Sequence, residues 1–116
     1  MKNIYMSWED FDIACKQIAD QCKAVAGLKA VFGIPRGGLV VAVRLSHLLN
    51  LPLTFLPASS SLITDDIADT GRTLLPFSHM ITATLYYNPR SKVEPTFWVF
   101  RKTIGWIVFP WEVLSK

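Results

Sequence analysis

Leu62–Thr73 reads Leu-Ile-Thr-Asp-Asp-Ile-Ala-Asp-Thr-Gly-Arg-Thr. Its apolar, β-branched opening, Leu62–Thr64, predicts a buried strand, and two adjacent carboxylates, Asp65 and Asp66, follow at its end. Asp69 comes three residues later. Thr70, Gly71, Arg72 and Thr73 then supply hydroxyls, backbone N–H groups and a positive charge where a helix is expected to begin. Acids at a strand end can take the hydroxyls of a sugar and a divalent cation, and a Thr/Gly turn before a helix can cradle a phosphate. The stretch therefore predicts a strand–loop–helix unit suited to a phosphorylated sugar.

A second such unit lies upstream. Ala30–Ile34 is an apolar run that stops at Pro35-Arg36-Gly37-Gly38, and Leu39–Leu49 continues as a helix that is apolar nearly all round and so expected to be largely buried. Two glycines let a backbone approach an anion closely, the helix N-terminus favours negative charge, and Arg36 adds a fixed cation. A ligand with phosphate at one end and pyrophosphate at the other would satisfy both loops.

The remaining pattern alternates helices with strands. Ser7 is the expected N-cap of an amphipathic helix in which Phe11, Ala14, Cys15, Ile18, Cys22 and Val25 recur at helical spacing, ending near Gly27. Strands are expected at Lys29–Gly33, Leu53–Leu56, Ile81–Tyr86 and Phe97–Phe100, and a short helix at Arg72–Met80 with Pro76 in its first turn. Asn50 and Pro52 end the second helix, and Asn88–Pro95 reads as a polar loop. Such alternation predicts an α/β fold: a parallel sheet with helices on its faces and ligands at the carboxyl ends of the strands.

Composition narrows the function classes. The chain has 116 residues, expected to form one domain, and a net charge of +3 that suits an anionic substrate without arguing for nucleic acid. Its apolar residues are dispersed, no stretch approaches a membrane span, and no apolar leader precedes the first helix, so a cytoplasmic protein is expected. Cys15 and Cys22 would lie about 10 Å apart along one helix, which fits core thiols and not a disulfide.

Asp65–Thr73 resembles the signature loop of type I phosphoribosyltransferases, and Pro35–Gly38 resembles their pyrophosphate loop. Tyr5–Cys22 and Trp106-Ile107-Val108-Phe109-Pro110-Trp111-Glu112 are similar to the first helix and the purine-contacting segment of the bacterial xanthine-guanine branch. The resemblance implies a Mg²⁺-dependent transfer of phosphoribose from phosphoribosyl pyrophosphate to guanine, xanthine or hypoxanthine. It assigns the donor to Arg36, Gly37, Asp65, Asp66, Ala68, Asp69, Thr70, Gly71, Arg72 and Thr73, with Asp66 as metal ligand and Asp69 as general base. It assigns the base to Asn88, Trp106, Ile107 and Glu112, and implies a dimer or tetramer that exposed aromatics such as Phe97, Trp98 and Phe109 would suit.

The chain departs from that family in two places. Only Pro57–Ser61 stands where family members carry a long flexible hairpin that closes over the site, so transfer should be slow or leak to hydrolysis. Asn88 stands where a Lys before Pro recognises the 6-oxo group, with Arg90 a possible substitute. The rival readings are a non-catalytic nucleotide- or phosphoribosyl-pyrophosphate-binding regulatory module and, further off, a nucleic-acid surface built on Arg90, Lys92, Arg101 and Lys102.

Overall fold

The computed structural model describes residues 2–112. Asn3–Tyr5 (β1) leads into helix α1, Trp8–Cys22, whose start is set by a capping box: the Ser7 hydroxyl accepts from the Asp10 N–H, and the Asp10 carboxylate accepts from the Ser7 N–H. Ala30–Gly33 (β2), Gly37–Leu49 (α2), Ser61–Ala68 (β3), Thr82–Tyr87 (β4), Phe97–Arg101 (β5) and Trp106–Val108 (β6) follow. Strands β2-β3-β4-β5 form a parallel sheet in sequence order, and β6 pairs with β1 in a separate parallel ribbon.

Alternation along the strands sorts the core into two layers. Val31, Leu62, Ala83 and Leu85 face one side and pack with Phe11, Cys15, Ile18, Val41 and Leu45 of the two helices. Phe32 and Ile63 face the other, where Leu74, Phe77, Met80 and Val93 cover them from connecting segments. Both cysteines are buried free thiols; burial pushes Cys15 up to about 12 and Cys22 to about 11, which makes them inert core groups.

The expected α/β parallel sheet is present, with several local corrections. Helix α1 stops at Cys22, and the turn at Gly27, with φ +86°, follows it. Val43 of α2 is exposed, so that helix is buried along one side only. Leu53–Leu56 is not a strand: Pro52 and Pro57 bracket it, Leu53 makes a single bridge to Val31, and Phe55 and Leu56 are exposed. Strand β3 does not end before the acids but runs through them to Ala68, because β4 keeps pairing with it at Ile67–Tyr86 and Ala68–Tyr87.

Arg72–Met80 holds a 3-10 turn at Leu75–Phe77 in place of a helix. Pro76 has no N–H to continue an α ladder, so Phe77 and Ser78 bond three residues back, to Leu74 and Leu75. One face of the sheet therefore carries two helices and the other carries irregular chain. Phe109 is buried and stacked on Trp111 at 5.0 Å, and Phe97 and Trp98 are half-buried, so none of the three is the exposed aromatic expected. Strands β1 and β6, which the sequence pattern does not announce, tie the two ends of the described chain together. The link from α2 to β3 is short: Ser61 already donates to the Ala58 carbonyl as β3 begins, and no long hairpin intervenes.

Candidate active site

The Arg36-Gly37-Gly38 turn is clamped to β3 by one buried hydroxyl. Thr64 Oγ1 lies 3.0 Å from the Phe32 carbonyl and 3.1 Å from the Gly38 carbonyl, while the Ile34 N–H donates to the Thr64 carbonyl at 2.9 Å. Thr64→Val keeps the shape but removes the donor, and is expected to destabilise the protein by about 1–2 kcal/mol, read from its urea midpoint. Arg36 is exposed at the N-cap of α2, and the Asp66 carboxylate packs directly against Gly37 in its first turn.

Asp65 and Asp66 occupy successive positions of β3. Asp65 is buried and Asp66 half-buried, and among the described residues neither has an ion pair. The Asp66 N–H donates to Asp65 Oδ1 at 2.9 Å, and the Ile67 N–H to Asp66 Oδ1 at 2.8 Å. Burial, with the neighbouring Asp66 charge second, pushes Asp65 up to about 8, and burial raises Asp66 as well. The folded chain thus keeps a proton on this pair where the unfolded chain, at an ordinary 3.8, has released it. Stability is expected to fall as pH rises from about 4 towards 8, and Asp65→Asn to flatten that slope in thermal melts across the range.

Three strands end side by side next to this pair. Ala68 pairs with Tyr87 and Tyr87 with Arg101, so the next residues, Asp69, Asn88 and Lys102, are neighbours one step beyond the sheet. Backbone bonds keep that order: the Asn88 N–H donates to the Ala68 carbonyl and the Lys102 N–H to the Tyr87 carbonyl, each at 2.9 Å. Asn88 Nδ2 donates to Asp69 Oδ1 at 2.8 Å, and Lys102 Nζ to Asp69 Oδ2 at 3.0 Å. Burial by itself would raise the Asp69 carboxyl, but the Asn88 amide and the Lys102 ammonium outweigh it and hold the group below the ordinary carboxylate range.

Three clefts meet here. One, of about 220 Å³, is lined by Asp66, Asp69, Lys102, Trp106, Ile107 and Glu112 among others. A second, of about 180 Å³, runs from Asp65 and Asp66 past Ala68 and Asp69 to Thr70, Gly71 and Thr73. A third, of about 630 Å³, lies between Arg36, Gly37, Asp66, Trp111 and Glu112. Trp106 is 55% exposed, with Lys102 Nζ over its ring at 5.9 Å, and Ile107 is buried beside it. Glu112 Oε1 accepts from the Phe109 N–H at 2.8 Å, which turns its side chain back towards the segment after β6. Gly71, with φ +86°, shapes the second cleft, where a Cβ would strike the Ser91–Val93 loop.

Most of the expected residues converge. Arg72 is exposed and is not among the residues lining the second cleft. Asn88 does not line the cleft that holds Trp106; its amide is turned to Asp69, and its Oδ1 accepts from the Arg90 N–H. The sequence reading missed Lys102 as a site residue. Its signal was its place, as the residue directly after a parallel strand, where such sheets hold their ligands.

A scan against protein-family models found none that matches. The solved purine phosphoribosyltransferase of Pyrococcus horikoshii is 31% identical and superposes with a TM-score of 0.86 over 100% of this chain and 98% of that one. The chain belongs to the type I phosphoribosyltransferases. The xanthine-guanine phosphoribosyltransferase of Desulfotalea psychrophila is 27% identical over 96% of this chain and 87% of its own length. That match extends over 141 residues, more than the 116 of this chain, so this relative carries residues with no counterpart here. The xanthine-guanine-hypoxanthine enzyme of Helicobacter pylori, at 20% identity and a TM-score of 0.82, shares the phosphoribosyltransferase fold.

Proposed function

We propose that this phosphoribosyltransferase moves the phosphoribosyl group of phosphoribosyl pyrophosphate onto guanine, xanthine or hypoxanthine, with Mg²⁺ as its metal. The products are a nucleoside monophosphate and pyrophosphate. Three clefts joined at Asp66, two of them also sharing Asp69, support this, since donor phosphate, leaving pyrophosphate and base each need a seat around one reacting carbon.

In this scheme Thr70, Gly71 and Thr73 take the 5′-phosphate and Arg36 and Gly37 the pyrophosphate. The base stacks on Trp106, with Ile107 and the free oxygen of Glu112 at its edge. A ring nitrogen attacks C1 of the ribose, the C1–O bond to pyrophosphate breaks with its electron pair, and Asp69 accepts the nitrogen-bound proton. The Arg36 cation stabilises the charge that develops on the leaving group.

Asp65 and Asp66 fit a divalent cation chemically: one carboxylate is buried and the other half-buried, and no cationic side chain pairs with them among the described residues. The protein offers no cluster of three metal-binding side chains among the described residues, so the remaining ligands would be oxygens of the donor, as is usual for Mg²⁺. When bound, the metal supplies neutralisation of phosphate charge. The same proposal includes a homo-oligomer in the cytoplasm.

The test is a product assay with phosphoribosyl pyrophosphate and each of guanine, xanthine, hypoxanthine and adenine, with and without Mg²⁺. Nucleotide formed from the 6-oxopurines only with Mg²⁺ is the expected result. Pyrophosphate released equally without a base would mean that water enters the open cleft as the acceptor. Tight donor binding with no product would instead favour a regulatory binding module.

A further inference from the structure

We propose that Lys102 is a positioning residue for the transfer reaction: reaching across from β5, it clamps Asp69 into the wall of the base cleft that Trp106 also lines. The proposal rests on the transfer chemistry proposed above and adds a residue to it.

The clamp follows from strand register. Asp69, Asn88 and Lys102 are the first residues past β3, β4 and β5, on three neighbouring strands. Strands two apart in a sheet are separated by about 9–10 Å, a gap that only a long side chain can close. Lys102 closes it, with Nζ 3.0 Å from Asp69 Oδ2, and the shorter Asn88 on the strand between takes Oδ1 at 2.8 Å. Both carboxylate oxygens are therefore held, and the side chain has one orientation.

Two further observations link this contact to the cleft and separate it from a surface ion pair. The Lys102 side chain is only 12% exposed, so its ammonium is largely withdrawn from water and depends on Asp69 for compensation. The same ammonium lies 5.9 Å from the centre of the Trp106 ring, on the wall of the cleft that Asp69 also lines. An ammonium has three donors, and one contact to Asp69 leaves others for acceptor atoms on a ring seated in that cleft.

The charged groups around Asp69 are few. Asp66 stands on β3, which Asp69 follows, with Asp65 in the adjoining cleft, and Glu112 lines the same cleft as Asp69. Arg72 follows on its own loop, and Arg90 and Arg101 line the groove beside Asn88 and Lys102. Among the described residues, Lys102 is the cation that bonds Asp69 directly.

The experiment follows the Asp69 carboxyl carbon by NMR titration in the wild-type chain, Lys102→Met and Lys102→Arg, and measures kcat, the donor KM and the pH profile of each. Lys102→Met should move the Asp69 titration upward and lower kcat roughly ten- to a hundredfold through misplacement of the carboxylate, with the donor KM unchanged. Lys102→Arg should restore both, because its side chain has the reach and the charge. An unmoved titration in a folded Lys102→Met protein overturns the clamp. A moved titration with unchanged kcat and pH profile overturns the positioning role while leaving the transfer chemistry in place. If the wild-type chain makes no nucleotide, the transfer chemistry and the positioning role fall together, and the titration decides only whether the clamp exists.

Discussion

Asp69→Asn is expected to slow nucleotide formation by about 10²–10⁴-fold, the usual contribution of a positioned general base. The substitution keeps the size of the side chain and one hydrogen-bonding oxygen but removes the group that takes the proton from the attacking nitrogen. Donor binding should survive, because the expected phosphate seat at Thr70, Gly71 and Thr73 includes neither Asn88 nor Lys102, the partners of the Asp69 carboxylate. The signature is therefore a lost kcat with a nearly unchanged donor KM. Stability should fall modestly, since Lys102 loses its counter-charge while remaining largely withdrawn from water. Full activity in Asp69→Asn would overturn the proposed mechanism.

Gly37→Ala should be nearly as damaging, for a steric reason. A Cβ built on Gly37 falls onto the Asp66 carboxylate, so either that side chain rotates away or the first turn of α2 lifts from β3. Overpacking of this kind costs about 1–3 kcal/mol, and here it lands on the residue common to all three clefts. A weakened donor KM and loss of the Mg²⁺ dependence are expected in a protein that still folds, measured by initial rates over donor and metal concentrations. Gly38→Ala makes the contrast. Its Cβ would meet the Thr64 carbonyl and the Asp65 Cα, which are backbone and cannot swing aside, so that variant should lose stability outright. Equal behaviour of the two variants in urea denaturation would show that the Asp66 side chain is not what Gly37 accommodates.

Much of the fold was legible in local pattern. Ser7 with Asp10 marked the start of α1, and the apolar spacing from Phe11 to Cys22 marked its buried face. Apolar runs stopped by Arg-Gly-Gly and by the Asp65-Asp66 pair located β2 and the first half of β3. Local signals failed where pairing partners set the outcome. The acids at Asp65 and Asp66 read as a strand end, yet β4 extends the ladder past them to Ala68. Leu53–Leu56 has strand-forming residues but flanking prolines and no second neighbour, so it remains a single bridge. Strands β1 and β6 are three residues each and exist only because they meet one another.

The site divides in the same way. Local sequence sets the two loops, because each is built from contiguous chain: Pro35–Gly38 and Asp65–Thr73 carry their hydroxyls, glycines and acids within a few residues. The tertiary structure alone decided how those loops communicate. Parallel register brought Asp69, Asn88 and Lys102 together from three strands, turned the Asn88 amide to Asp69 and away from the cleft that Trp106 lines, and put a lysine there that no motif contains. Contacts between strands depend on alignment across the sheet, and a residue's neighbours along the chain carry no record of that alignment.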